Sequence, residues 1–470
     1  MSTHQSGSFD RRSFLQRAAA GVGALCGWRG DDTRALVPHF TPRCTRVLYL
    51  HMVGAPSQLD LFDHKPALAR WHGQDLPDSV RQGQRITTMT SGQQRLRIQQ
   101  TNRVFAQHGR CGAWISDLLP FTARCADELA IVRSMHTDAI NHEPALNLAQ
   151  TGTEQLGRPC FGAWLGWAMA AEARDLPAFV VLHSTWSGPQ VDQPLYSRLW
   201  GAGFLPAEHQ GVLLRGQGDP VLFLQDAPGV SRQARQRQLA AMAQLHQDAA
   251  RRFGDPGIGA RQQQAELAFR MQASLPELVD LSTESAATKA LYGPEVDKRG
   301  TFANNALLAR RLLERGVRCV QIYHRGWDQH KDLERDLPAQ CRDIDQPVGA
   351  LLTDLRLRGM LDDTLVVWTS EFGRAVYAQG DAGDAHYGRD HHPRCFVSWL
   401  AGGGVRAGHQ HGETDELGYN TVRDAVHVHD LNATLLFLLG FDHERLTFRH
   451  EGRDHRLTDV HGKVVKALLA

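Results

Sequence analysis

Cysteine is sparse in this chain and nowhere paired. The eight cysteines, Cys26, Cys44, Cys111, Cys125, Cys160, Cys319, Cys341 and Cys395, include no Cys-x-x-Cys motif. Their spacing supports neither a zinc ribbon nor a full disulfide framework. Net charge is also nearly absent: 52 Lys and Arg stand against 51 Asp and Glu, a balance of +1. Nothing in the bulk charge therefore points to nucleic acid or to an anionic membrane as partner. No internal repeat and no low-complexity run interrupts the 470 residues. No segment reaches the roughly 18 consecutive apolar residues of a membrane-spanning helix. With 42% hydrophobic and 22% charged residues, the composition is that of a folded, water-exposed chain with a sizeable core. It excludes a disordered, a collagen-like and a multi-span membrane protein. Histidine is what the chain has in excess. Eleven of its 24 histidines fall between His386 and His461, which makes a metal or anion site worth seeking there.

The N-terminus reads Asp10-Arg11-Arg12-Ser13-Phe14-Leu15, followed by a small and apolar stretch from Ala18 to Trp28. Paired arginines before a weakly hydrophobic run predict a twin-arginine export signal over residues 1–36, and with it a periplasmic or extracellular location. Leu25 before Cys26 argues against lipidation, which needs a small residue there. An oxidising compartment would permit one or two disulfides among the seven remaining cysteines.

Several short, nearly wholly apolar runs follow: 46–53, 129–133, 178–182, 318–323, 364–368 and 395–400. Strands buried on both faces of a parallel sheet have this composition. Helical periodicity lies between them, at Asn304–Glu314 and Val348–Arg358. The alternation predicts an α/β sandwich over residues 40–470. Residues 231 to about 290 differ. They are rich in Gln, Ala and Arg, with apolar residues at helical spacing, and read as a helical insertion or as a plain helical part of the same domain.

In an open α/β sheet, ligands bind at the carboxyl ends of the strands. Four such ends deliver carboxylates and imidazoles. Asp60 follows the first run, His142 the second, Asp328 and His330 the fourth, and Glu371 and Arg374 the fifth, with His391 shortly after. Asp328 and His330, two apart in extended chain, point to one side. A carboxylate oxygen and an imidazole nitrogen so placed are half of a divalent-metal site. Asp328, His330, Glu371 and His391 are therefore expected to converge on one cation, with Asp60 nearby. Glu371 has only Arg374 as a local cation, so it would bind metal or pair with that arginine. In the tail, Asp430 is a sensible N-cap for the helix after it, His429 reads as structural, and His450, His455 and His461 read as solvated surface.

Six segments carry a family resemblance: Gly54–Asp63, Ser134–His142, Gly326–His330, Thr369–Arg374, Gly388–Pro393 and Thr458–Gly462. The chain resembles the exported bacterial sulfatase-like proteins classed as a domain of unknown function, within the alkaline-phosphatase/sulfatase superfamily. The resemblance implies a three-layer sandwich with a mostly parallel central sheet, and a divalent metal ion (Ca, Zn, Mg or Mn) at the strand ends. It departs from true sulfatases in two places. Thr151-Gly152 stand nine and ten residues after His142, so a histidine occupies the position of the sulfatase nucleophile cysteine, and no formylglycine can form there. Thr-Ser-Glu-Phe-Gly replaces the usual Thr-Ser-Asp-His-Gly, so Phe372 cannot ligate and His391 would supply the nitrogen. Asp60 stands in for the first-strand aspartate. Two functions remain open. One is a metal-dependent hydrolase of a small-molecule or glycan ester of sulfate or phosphate. In it His142, Asn141 and Arg374 would be catalytic, Arg374 or Arg389 would steady the anionic oxygens, and water or His142 would be the nucleophile. The other is a non-catalytic exported protein that binds a metal or ligand. The resemblance also suggests other exported bacterial proteins as partners.

Overall fold

The computed structural model describes residues 35–188, 194–222 and 224–470. Arg11, Arg12, Cys26 and nearly all of the predicted export signal lie outside the described residues. Each apolar run forms a strand, the last of them Phe396–Ala401, and Val212–Leu214 adds one that no run marked: β1 Arg46–Met52, β2 Leu129–His136, β3 Phe179–Ser184, β4 Val212–Leu214, β5 Cys319–His324 and β6 Thr364–Thr369. A hairpin, β7 Gly373–Gln379 and β8 Gly388–His392, precedes β9 Phe396–Ala401. Two short strands follow, β10 Gln410–His411 and β11 Val426–His427. The central sheet has nine strands in the order β10-β2-β9-β6-β1-β5-β3-β4, with β11 also on β2. Val47 faces Cys319 and Leu365 in parallel register on either side of β1. The sheet is mostly parallel. Only β9 runs against its neighbours, β2 and β6.

Alternation along β1 shows why these runs are apolar throughout. Leu48, Leu50 and Met52 enter one hydrophobic core, and Val47 and Tyr49 enter another on the opposite face. Helices cover both faces, which makes three layers. α1 (His142–Thr151), α2 (Phe161–Met169) and α8 (Val428–Leu438) contribute to the second core; α6 (Phe302–Glu314) and α7 (Leu333–Leu357) contribute to the first. Thr301 caps α6, its side chain accepting the Asn304 N–H, as an N-cap threonine does. The helix expected from Val348 begins earlier, at Leu333, and runs through Pro338 and Pro347. Packing against the sheet outweighs two lost helical hydrogen bonds. Residues 231–290 carry α3 (Arg232–Phe253), α4 (Pro256–Val279) and α5 (Ala286–Tyr292). No helix among the described residues is long and apolar enough to cross a membrane.

Asp430 is not the N-cap of α8. His427 occupies that position, and Asp430 sits three residues on, where its carboxylate accepts the His427 N–H at 3.0 Å in a capping box. The seven described cysteines are all free thiols, six of them buried, so the disulfides that an oxidising compartment would permit do not form among them. Burial pushes the Cys44 and Cys160 thiols up to about 12 and Cys125 to about 11. Thiolates react and thiols do not. Native protein is therefore expected to give a thiol reagent at pH 7.5 only Cys111 among these seven, and all seven after denaturation. Rapid native labelling of Cys160 or Cys319 would contradict this burial.

Candidate metal centre

Parallel strands bring β1, β5 and β6 to one edge with their carboxyl ends together. The chain after β1 turns at Gly54, whose φ is +107° and whose added Cβ would meet the Asp328 amide nitrogen at 2.7 Å. Only glycine lets these two strand ends pack so closely.

Four side chains meet there. The ligand-type atoms of His142, Asp328, His330 and His391 all lie within 4.8 Å of one another. Asp328 Oδ1 is the hub: the Nε2 atoms of His330, His142 and His391 stand 2.8, 3.2 and 3.4 Å from it. His330 Nε2 and His391 Nε2 are 3.0 Å apart. Ligands on one tetrahedral ion with bonds of 2.0–2.2 Å are separated by about 3.3–3.6 Å, close to what these side chains already show.

The other nitrogen of each imidazole fixes its tautomer. His142 Nδ1 faces Glu371 Oε1 at 2.7 Å, His330 Nδ1 faces Gln379 Oε1 at 2.5 Å, and His391 Nδ1 faces the Ile140 carbonyl at 2.9 Å. All three partners are acceptors, so each Nδ1 carries its proton and each Nε2 turns a lone pair inward. Three lone pairs and a carboxylate oxygen then crowd one point, which a cation or a proton must fill. His142 Nε2 is buried and makes no hydrogen bond among the described residues. Its pKa shows the same pull: burial disfavours the imidazolium, yet Asp328 and Glu371 outweigh that and hold the pKa above its ordinary value. His391, buried and close to Arg374 and His142, is lowered to about 4. Burial would raise the Asp328 carboxyl, but Arg374 and the three histidines hold it well below the usual carboxylate range.

Glu371 joins the cluster through His142 and is not part of the inner set. It is fully buried. Its Oε1 also accepts the Gly54 N–H at 2.7 Å, and its Oε2 lies 3.3 Å from His51 Nε2. Gln150 donates to His51 Nδ1 at 3.1 Å and accepts from Gln321 at 2.7 Å. A polar chain thus runs from the sheet interior to the cluster: Gln321, Gln150, His51, Glu371, His142. Burial opposes the Glu371 charge, but His142 and His51 hold its pKa low. His51, Gln150, Gln321 and Gln379 were not among the sequence candidates. A histidine and a glutamine inside apolar strands were the signal available for His51 and Gln321.

Three expected roles change. Asp60 stays out of the cluster: it pairs with Arg389, Nε to Oδ2 2.8 Å, and accepts from Ser57 at 2.5 Å. Arg374 pairs with Asp328 (2.6 Å) instead of Glu371, and also donates to the carbonyls of Gly54, Ala55, Trp327 and Arg389. Buried and committed to these acceptors, Arg374 neutralises Asp328 and ties the loops together. It does not present itself to an incoming anion, and neither does Arg389, which is wholly buried on Asp60. Asn141 is the exposed N-cap residue of α1, and its side chain makes no capping hydrogen bond. Phe372 forms a wall, its ring 4.8 and 4.6 Å from those of His142 and His391. In the tail, His429 is buried between the rings of His427 and His461.

Fold and site define an α/β protein with a three-histidine, one-aspartate group able to hold a metal ion. The chain belongs to the family described as Protein of unknown function (DUF1501), whose model matches residues 44–469. A comparison with curated proteins finds no match. Solved structures similar to this chain include a sulfatase from Pseudoalteromonas sp. It shares 12% identity, with 98% of this chain and 76% of that chain covered and a TM-score of 0.38. A phosphonate monoester hydrolase from Silicibacter pomeroyi has 12% identity, 68% of each chain covered and a TM-score of 0.31. The lipoteichoic acid synthase LtaP from Listeria monocytogenes has 10% identity, 90% and 78% covered, and a TM-score of 0.34.

Proposed function

We propose that the protein is a hydrolase of an anionic ester, of the sulfate or phosphate class, that depends on a divalent metal held by His142, His330, His391 and Asp328. The observation that carries the reading is the convergence of three Nε2 lone pairs on Asp328 Oδ1. Three imidazoles and one carboxylate suit zinc or a neighbouring transition ion better than calcium or magnesium, which prefer all-oxygen sets. Such an ion, when bound, supplies a Lewis acid for the ester oxygens and an acidified water. The chain's own residues do the rest. Glu371 holds His142 by Nδ1, Gln379 holds His330 and the Ile140 carbonyl holds His391, so no ring has to turn when the site fills. Arg374 keeps Asp328 ionised. His142 occupies the nucleophile position of the family resemblance, where an imidazole cannot become formylglycine, and it turns Nε2 toward the cluster.

A second reading is a non-catalytic metal-binding protein. It is favoured by one observation: four protein donors complete a tetrahedral set, whereas catalytic zinc sites keep one position open. The two are separated by loading the protein with zinc or manganese and offering aryl sulfates and aryl phosphates. Turnover by the wild type, lowered about 10²-fold or more by His142→Ala, supports the hydrolase. A fully loaded protein inert toward both ester classes supports the second reading.

A further inference from the structure

α8 is capped by a residue that titrates. His427 Nδ1 accepts the His429 N–H at 3.2 Å, so that nitrogen carries no proton. Nε2 carries it and donates to Asp138 Oδ2 at 3.2 Å. The usual N-cap residues, Ser, Thr, Asn and Asp, keep their acceptor oxygen through mild acid, whereas a histidine loses its acceptor on taking a second proton. The cap stands in a row of four imidazoles. The ring centroids of His136 and His427 lie 4.9 Å apart, those of His427 and His429 4.9 Å, and those of His429 and His461 5.0 Å. His461 is exposed and His136 and His427 are half-buried. His429 is buried, and its Nδ1 has no hydrogen-bond partner among the described residues.

The charged groups around the row are Asp138, Asp430 and Arg394. Asp138 is 76% exposed. Asp430 accepts two backbone N–H groups, from His427 at 3.0 Å and Lys463 at 2.7 Å. Exposed Arg394 faces His136. His443, which faces the Thr458 hydroxyl at 2.9 Å, lies near Asp430. The N-terminus of α8 adds a partial positive charge of its own, which opposes protonation of its cap. Burial above all holds His136, His427 and His429 below their ordinary pKa, His429 at about 4, against the pull of Asp138 and Asp430. The row is also a joint. β11 pairs with the end of β2, Val426 beside Met135 and His427 beside His136. Lys463 and Val465 tie the chain beyond His461 to α8, through Asp430 and through the Thr434 hydroxyl at 2.9 Å.

We propose that the four-histidine row is an acid-sensitive latch: neutral, it joins β2, α8 and the segment 458–466, and protonated, it loses the α8 cap and lets that segment open. None of its histidines belongs to the metal cluster, so the latch does not rest on the hydrolase reading. The sign follows from linkage. The open form exposes imidazoles that take up protons near pH 6.5, and the closed form refuses them, so acid favours opening. Between pH 7.5 and 5.0, each histidine that titrates only in the open form raises the opening constant about 30-fold.

The test is hydrogen–deuterium exchange of the full chain at pH 7.5 and 5.0, with rates corrected for the intrinsic effect of pH. Protection of the amides in 427–432 and 459–466 is expected to fall about tenfold or more at pH 5.0, while the amides of β1 and β5 keep theirs. His427→Asn retains a cap acceptor and cannot titrate, so it should lose less protection than the wild type. Adding His429→Phe, which keeps a ring in the stack, should remove most of the remaining loss. Unchanged protection of the wild type at pH 5.0 overturns the proposal. So does a loss as large in His427→Asn and in the double variant as in the wild type, and so does a loss shared equally by β1 and β5, which is global acid unfolding.

Discussion

Asp328→Ala is expected to cost the metal-free protein about 3–5 kcal/mol of stability and to abolish metal binding. The stability loss comes from Arg374. Its guanidinium is 1% exposed and has Asp328 as its only carboxylate partner among the described ion pairs. Removing the carboxylate leaves a buried cation facing carbonyl dipoles alone. The metal loss comes from geometry, because every inward Nε2 is placed around Asp328 Oδ1. Chemical denaturation in the presence of a chelator measures the first effect. The second is read by adding zinc: a ligand at 100 times its Kd stabilises the native state by about 2.7 kcal/mol. The wild type should gain this increment and Asp328→Ala should not. Asp328→Asn, which keeps an acceptor for Arg374, should lose less stability and the same zinc response. A zinc response that survives in both variants would remove Asp328 from the site.

Asp60→Ala is expected to be as costly, about 3–5 kcal/mol, and to leave metal content untouched. Arg389 and Asp60 are 0% and 1% exposed and bind through two nitrogens, at 2.8 and 3.4 Å. The pair buries two charges whose interaction is strong only while both are present. Burial would raise the Asp60 carboxyl, but Arg389 and the hydroxyl of Ser57 overcome this and hold it below its ordinary value. A carboxyl lowered in the native state contributes stability above its unfolded pKa and loses it as pH falls through the folded value. Wild-type stability should therefore fall below about pH 4, and less steeply in Asp60→Ala. If Asp60→Ala instead stripped the metal with little change in stability, Asp60 would be a ligand after all.

The fold was readable because a parallel sheet buried on both faces leaves short apolar runs, and each run became a strand. The direction of β9 was not readable, since an apolar run carries no sign of which way its neighbours point. Asp328, His330 and His391 were readable as donors at strand ends. How His391 arrives was hidden, because Gly388–His392 is not an apolar run: it pairs with Gly373–Gln379 in a hairpin whose register shifts between Arg389 and His391. Asp60 was placed near the metal because it follows the first strand and stands in for the first-strand aspartate of the resemblance, and Arg374 was the one cation near Glu371 in sequence. In the folded chain each arginine finds its acid across a distance of 46 or 329 residues. His142 was expected in the nucleophile position, with water or His142 itself as the nucleophile and its side chain facing the metal site; its Nδ1 bond to Glu371 is what turns Nε2 toward the cluster.

The most direct measurement is a crystal structure of zinc-loaded protein, with the ion located by anomalous scattering on both sides of the zinc edge. One peak is expected, about 2.0–2.2 Å from the Nε2 atoms of His142, His330 and His391 and from Asp328 Oδ1. Glu371 should remain outside it on His142 Nδ1. A peak coordinated by Asp60 or directly by Glu371, or no peak among these four side chains at saturating zinc, would contradict the account.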